Sequence, residues 1–148
     1  MEVVIASAII SIITFSIVSA AQKGLVLSLR ALHQTQASYL LEEGAEAVKN
    51  VRDTSWSSIS ALTVGTTYYL SFNTTSNIWS LSTTANKVDN FFTRTVLVSS
   101  VYRDANDDIA TSGVIDTYTK KVDINVSWLS DGGTVSKSLS FYITNIFS

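Results

Sequence analysis

From Val3 to Ala21 the chain carries no charge and no proline, and most of its residues are Val, Ile, Ala or Ser. A helix rises about 1.5 Å per residue, so this run covers roughly 30 Å, the thickness of a bilayer's hydrocarbon core. One acid, Glu2, stands at its tip, and Lys23 ends it. An amphipathic pattern follows without a break. Leu25, Leu29, Leu32, Tyr39, Leu40, Ala47, Val48 and Val51 recur mostly at spacings of three or four, with Arg30, Gln34, Glu42, Glu43, Glu46, Lys49 and Arg52 between them. Residues 2 to about 52 therefore read as one long helix, closing where Asn50, Asp53 and Thr54 weaken the pattern.

Gly24 and Gly44 interrupt this helix, each at a cost of about 1 kcal/mol relative to Ala. Gly24 follows the apolar run and marks a soft point. Gly44 either is tolerated or admits something packed close against the backbone. A secretory signal peptide would begin basic and carry a shorter apolar run. Ser19-Ala20-Ala21 has the small residues of a cleavage site, but Glu2 and the length of the run argue against that reading. A single-pass anchor explains the run, but neither Glu2 nor the amphipathic continuation.

After residue 54 the period changes to two. Tyr68 to Phe72 and Ile78 to Leu81 predict a hairpin around residues 73–77, and Phe91 to Tyr102 a longer strand. Val122, Ile124, Val126 and Trp128 alternate with Asp123, Asn125 and Ser127, the clearest half-buried strand in the chain. Ser130-Asp131-Gly132-Gly133 is a turn, and Val135 to Phe147 returns with Val135, Leu139, Phe141 and Ile143 on one face. The sheet has one apolar face and the later half of the helix one apolar stripe, and packing one on the other buries both. The expected fold class is α+β: a long N-terminal hydrophobic helix whose C-terminal half packs on a small antiparallel β-sheet head. Residues 1–24 are expected to form an exposed apolar helix, and residues 25–148 the head with the amphipathic part of the helix.

Composition removes several chemistries. The chain has no cysteine and one histidine, His33, so thiolate catalysis, disulfides, Cys-based zinc sites and a His-based triad lack their parts. A net charge of −2 makes no electrostatic case for nucleic acid. No nucleophile–base pair, phosphate loop or acid–base dyad is apparent, so no catalytic residue and no cofactor are expected.

An apolar helix of this length must lie in lipid or against other such helices. Ser7, Ser11, Ser16 and Ser19, with Ala6, Ala8 and Ala20, allow close helix approach, and the hydroxyls can bond back to the helix backbone. Glu2 in a dry bundle would need a cationic partner, since an unpaired buried charge is very costly.

The opening Met1-Glu2-Val3-Val4-Ile5-Ala6-Ser7-Ala8-Ile9-Ile10 resembles the mature N-terminal segment of the type IV pilin superfamily, which includes pilins, minor pilins and the pseudopilins of secretion and competence systems. Residues 39–53, from Tyr39 to Asp53, are similar to the second half of the long helix in some bacterial pilin-like proteins. The resemblance covers roughly residues 1–56. It implies a subunit cleaved by a prepilin peptidase and N-methylated, held in the inner membrane before assembly, and extracted by a pilus assembly machine. The product would be a helical filament of identical subunits on the bacterial cell surface. Glu2 would pair with the N-terminal amine of a neighbour, Ser7 and Ser11 would lie in the helix contacts, and Gly24 would absorb any extension of the helix. The alternatives are a minor pilin or pseudopilin of a secretion or DNA-uptake system, and a membrane-tethered extracellular binding module.

The chain departs from the family pattern in three ways. Only Met1 precedes Glu2, where the family has a cleavage glycine and a short apolar run. Either those residues lie outside this sequence or the mature chain starts at Met1. The helix proline of many pilins is absent, and the C-terminal disulfide loop cannot form. Other candidate sites are weaker. Asp104, Asn106 and Asp108 resemble the start of a calcium loop, but Ile109 and Ile115 replace its glycine and closing glutamate. A solvated turn is the plainer reading. Asn73 and Asn125 stand in N-glycosylation triplets. Trp56, Trp79 and Trp128 suit the head core, and Tyr68, Tyr69 and Tyr102 suit sheet packing or an exposed strip for cell adhesion.

Overall fold

The computed structural model describes residues 1–130 and 132–146, so Asp131 of the expected turn and Phe147 of the expected last strand lie outside the described residues. Helix α1 runs over Glu2–Thr54. Its first 22 residues past Met1 contain neither Gly nor Pro, and a short helix α2 follows at Ser57–Ser60. Six strands come next: β1 (Thr67–Asn73), β2 (Ile78–Ser82), β3 (Thr93–Arg103), β4 (Ile109–Ala110), β5 (Val114–Ser130) and β6 (Gly133–Thr144). The chain divides into two compact units, Met1–Gln36 and Ala37–Ser148.

In the second unit all strand pairings are antiparallel, in the order β2-β1-β3-β5-β6, with β4 paired to β3. The β1–β2 hairpin sets Leu70 opposite Leu81 and Phe72 opposite Trp79, close to its expected bounds. Its turn is built by Asn73, whose Oδ1 accepts the N–H groups of Thr75 and Ser76, and Asn77 takes the left-handed conformation common for Asn. Strand β5 starts eight residues before Val122, earlier than alternation predicts. Its pairing with β3 slips between Ser100 and Val101, where a bulge breaks the period.

The core lies between the sheet and the helix residues from Ala37 onward. Ala37, Leu41, Gly44, Ala45, Ala47, Val48 and Val51 are buried on the helix side. Val96, Val98, Val122, Ile124, Val126 and Ile143 are buried on the sheet side. Each large apolar side chain fully removed from water contributes about 1.5–3 kcal/mol. Periodicity places Leu25, Leu29, Leu32 and Tyr39 on one buried stripe; all four are exposed, the three leucines because the inward stripe begins only at Ala37 and Tyr39 because it is out of phase with Ala37, Leu41 and Gly44. Trp128 is buried edge-on to Phe92, with Trp56 and Trp79 packed at the margin of the core. Tyr68 points inward, its hydroxyl accepting the Thr63 N–H, and Tyr69 pairs with Thr95 on the other face, so adjacent tyrosines form no strip.

Gly44 permits the helix to sit close on the sheet. A Cβ there would lie 3.2 Å from Arg94 Cδ and 3.4 Å from Ile124. Arg94 cannot easily yield, since its guanidinium is tied to the helix. Gly44→Val should lower the stability of the second unit by about 2 kcal/mol. Gly24→Ala, where an added Cβ meets nothing within 4 Å, should leave it unchanged. Urea unfolding followed by tryptophan fluorescence reads both.

Candidate assembly surface

The first unit is helix alone. Val3, Val4, Ile5, Ile9, Ile10, Ile12, Ile13, Phe15, Ile17 and Val18 are all exposed. An 18-residue window of this helix is apolar enough to cross a membrane and is 0% buried. Four hydroxyls in the run bond back to the helix backbone. Ser7 Oγ donates to the Val4 carbonyl, Ser11 to that of Ser7, Thr14 to that of Ile10 and Ser16 to that of Ile12. These four hydroxyls are bonded within their own helix, so they present an apolar environment few unmet donors. Such a helix is of membrane-associating character.

Glu2 occupies the first turn of α1, where its charge complements the free N–H groups of the helix start. It and Lys23 are both exposed. Between them lie only uncharged residues. Leu25, Leu27, Leu29 and Leu32 continue the exposed apolar surface past Lys23.

The second unit holds the other candidates. Asp104 Oδ1 accepts the N–H groups of Asn106 and Asp108, so it closes its own turn. Arg103 supplies positive charge beside this turn: its Nε donates to Asp116 Oδ2 at 2.7 Å and its Nη1 to the Asp107 carbonyl. The hydrogen bond to Asp116 holds the Arg103 guanidinium above its ordinary value. Burial pushes the Asp116 carboxyl up, but the Arg103 bond and the Tyr118 N–H outweigh it and leave it below the usual carboxylate range. No group of three His, Asp or Glu side chains placed to hold a metal occurs among the described residues. Asn73 is exposed in its hairpin turn, whereas Asn125 is half-buried mid-strand between Thr95 and Ser138.

Sequence reading did not single out Arg94. Only 3% of it is exposed; its Nη1 donates to the Leu40 carbonyl at 3.2 Å and to Glu43 Oε1 at 3.0 Å, and its guanidinium lies 5.4 Å from the Trp79 ring centre. Its Nε is buried without a partner. Alternation carried the signal, since Arg94 shares the inward phase of Val96 and Val98. Its acid stands 51 residues away and could not be assigned by spacing.

The chain matches no protein-family model, no curated protein and no solved structure. The long apolar N-terminal helix joined to an antiparallel sheet is compatible with a pilin-like fold.

Two outcomes test this geometry. Glu43→Ala strands the buried Arg94 charge and should cost about 2–3 kcal/mol, against less than about 0.5 kcal/mol for Glu46→Ala, whose partner Lys49 is exposed. The contribution of the Arg103–Asp116 pair exists only while Asp116 is ionised. Its folded-state value is depressed, so the contribution is complete above the unfolded carboxyl value of about 4 and vanishes as pH falls through the lower folded value. The difference in urea midpoint between the native chain and Asp116→Asn should persist at neutral pH and shrink below about pH 4.

Proposed function

We propose that the chain is the structural subunit of a pilus-like extracellular filament, held in membrane before assembly and polymerising through its N-terminal helix. The carrying observation is an apolar helix surface that is exposed along its whole first unit and has one acid at its tip. Lipid can cover such a surface, and so can other copies of the same helix. Back-bonded serines and small alanines suit helix-to-helix contact, because backbones approach closely and the hydroxyls of Ser7, Ser11 and Ser16 are met within the helix. Glu2 suits the same arrangement: at a membrane edge it is solvated, and in a bundle it selects a cationic partner and so sets register. The resemblance of residues 1–10 to the mature start of type IV pilins points the same way. The role is structural and not catalytic. The partners in this reading are identical subunits, the inner membrane and the machinery that moves the chain from one to the other.

A membrane-tethered extracellular module is the second reading, favoured by the match between the apolar run and one bilayer thickness. Filament yield from cells expressing the native chain, Glu2→Ala and a chain lacking residues 1–24 separates the two. The filament reading expects fibres containing the native chain, a yield at least about tenfold lower for Glu2→Ala with the second unit still folded, and a non-polymerising product from the truncation. Native chain found only in the membrane fraction, or normal fibres from the truncated chain, would contradict it.

A further inference from the structure

Resting on the self-assembly reading, we infer that Lys23 receives Glu2 of a second copy, so that neighbouring parallel helices are offset by 21 residues, about 32 Å along the axis. Glu2 is the only acid among residues 1–41. Lys23 is the first cationic side chain beyond it, exposed and directly past the apolar run. Neither side chain makes an ion pair among the described residues.

Apolar surface supports the same offset independently. Val3 to Ala21 already fills a hydrocarbon core of about 30 Å, yet Val26, Leu27, Leu29 and Leu32 remain exposed beyond it. Bilayer lipid that covers the first run does not reach them. Lys23, Val26 and Leu27 share one helix face by their spacing, and Glu2, Ile5 and Ala6 share another by the same spacing. With Glu2 beside Lys23, Ile5 lies level with Val26, and Ala6 leaves room for Leu27. Leu27 is 66% exposed and Ile5 60%, so both have surface to bury.

Other offsets fit less well. With no offset Glu2 faces Glu2, a like-charge contact in a dry bundle, and the one-residue offset that sets Glu2 beside a neighbour's N-terminal amine leaves Lys23 level with that neighbour's uncharged Gln22 and without an acid. With Glu2 moved on to Arg30, Ile5 and Ala6 come level with His33 and Gln34, and apolar surface meets polar groups.

The native chain has no cysteine, so introduced thiols report contacts unambiguously. Full-length copies carrying Ile5→Cys are mixed with copies carrying Val26→Cys, assembled from detergent into lipid-free buffer and oxidised. A disulfide needs Cβ atoms about 4 Å apart. The offset predicts mixed dimers at least about tenfold more abundant than dimers of Ile5→Cys with itself. In parallel, Glu2→Lys and Lys23→Glu should each lower filament yield at least about tenfold, and the chain carrying both should recover to within about threefold of native. Self-linked Ile5→Cys as the main product would overturn the offset, as would normal yield from either single variant or no recovery in the double. Lys23→Glu that weakens only binding to anionic vesicles, with filament yield intact, would assign Lys23 to a lipid headgroup and also overturn it. A native chain that stays monomeric would instead defeat the self-assembly reading beneath.

Discussion

An apolar helix surface exposed along the first unit governs what this protein must do next. At about 25 cal/mol per Å² of exposed apolar area, water is a poor environment for residues 3–32. Burial on the helix begins only at Ala37. Cover has to come from lipid or from other molecules. Function is therefore a matter of which cover is final, and Glu2 bears on it: a carboxylate at the helix tip is indifferent at a membrane edge and demanding in a bundle.

The second unit depends on a different constraint, the close seating of helix on sheet. Gly44 allows it, and Arg94 uses the room, passing its guanidinium between Glu43, the Leu40 carbonyl and the Trp79 ring. A buried charge of this kind adds little net stability compared with an apolar residue of the same shape, but removing one partner of the pair is costly. The outward face of the sheet carries Thr93, Thr95, Asn125, Ser127, Ser136 and Ser138, which need no cover in water.

Much of this was legible in the sequence, for physical reasons that differ by element. Two periods, 3.6 then 2, separated helix from sheet, and Asn73 to Asn77 announced the first hairpin. Strand β5 from Val122 to Trp128 was plain because one face is buried and the other wet. Its first eight residues were not, because the bulge near Val101 breaks the alternation and Asp116, Lys120 and Lys121 dilute the apolar signal. The apolar period of the helix begins at Leu25 but its burial begins at Ala37, because periodicity records which residues are apolar and not what lies against them. Arg94 was hidden for the opposite reason: its phase was visible, but its partner Glu43 is distant in sequence. Gly113 was likewise unmarked, although its positive φ and the Arg103 carbonyl 2.1 Å from an added Cβ leave no room for a side chain.

The central claim is that the leading helix is finally covered by copies of itself. Full-length protein purified in detergent, then freed of detergent with no lipid present and viewed by electron microscopy, tests it most directly. The account predicts regular fibres of uniform width that sediment as one species. Dispersed single molecules, or shapeless aggregate under every condition tried, would contradict it.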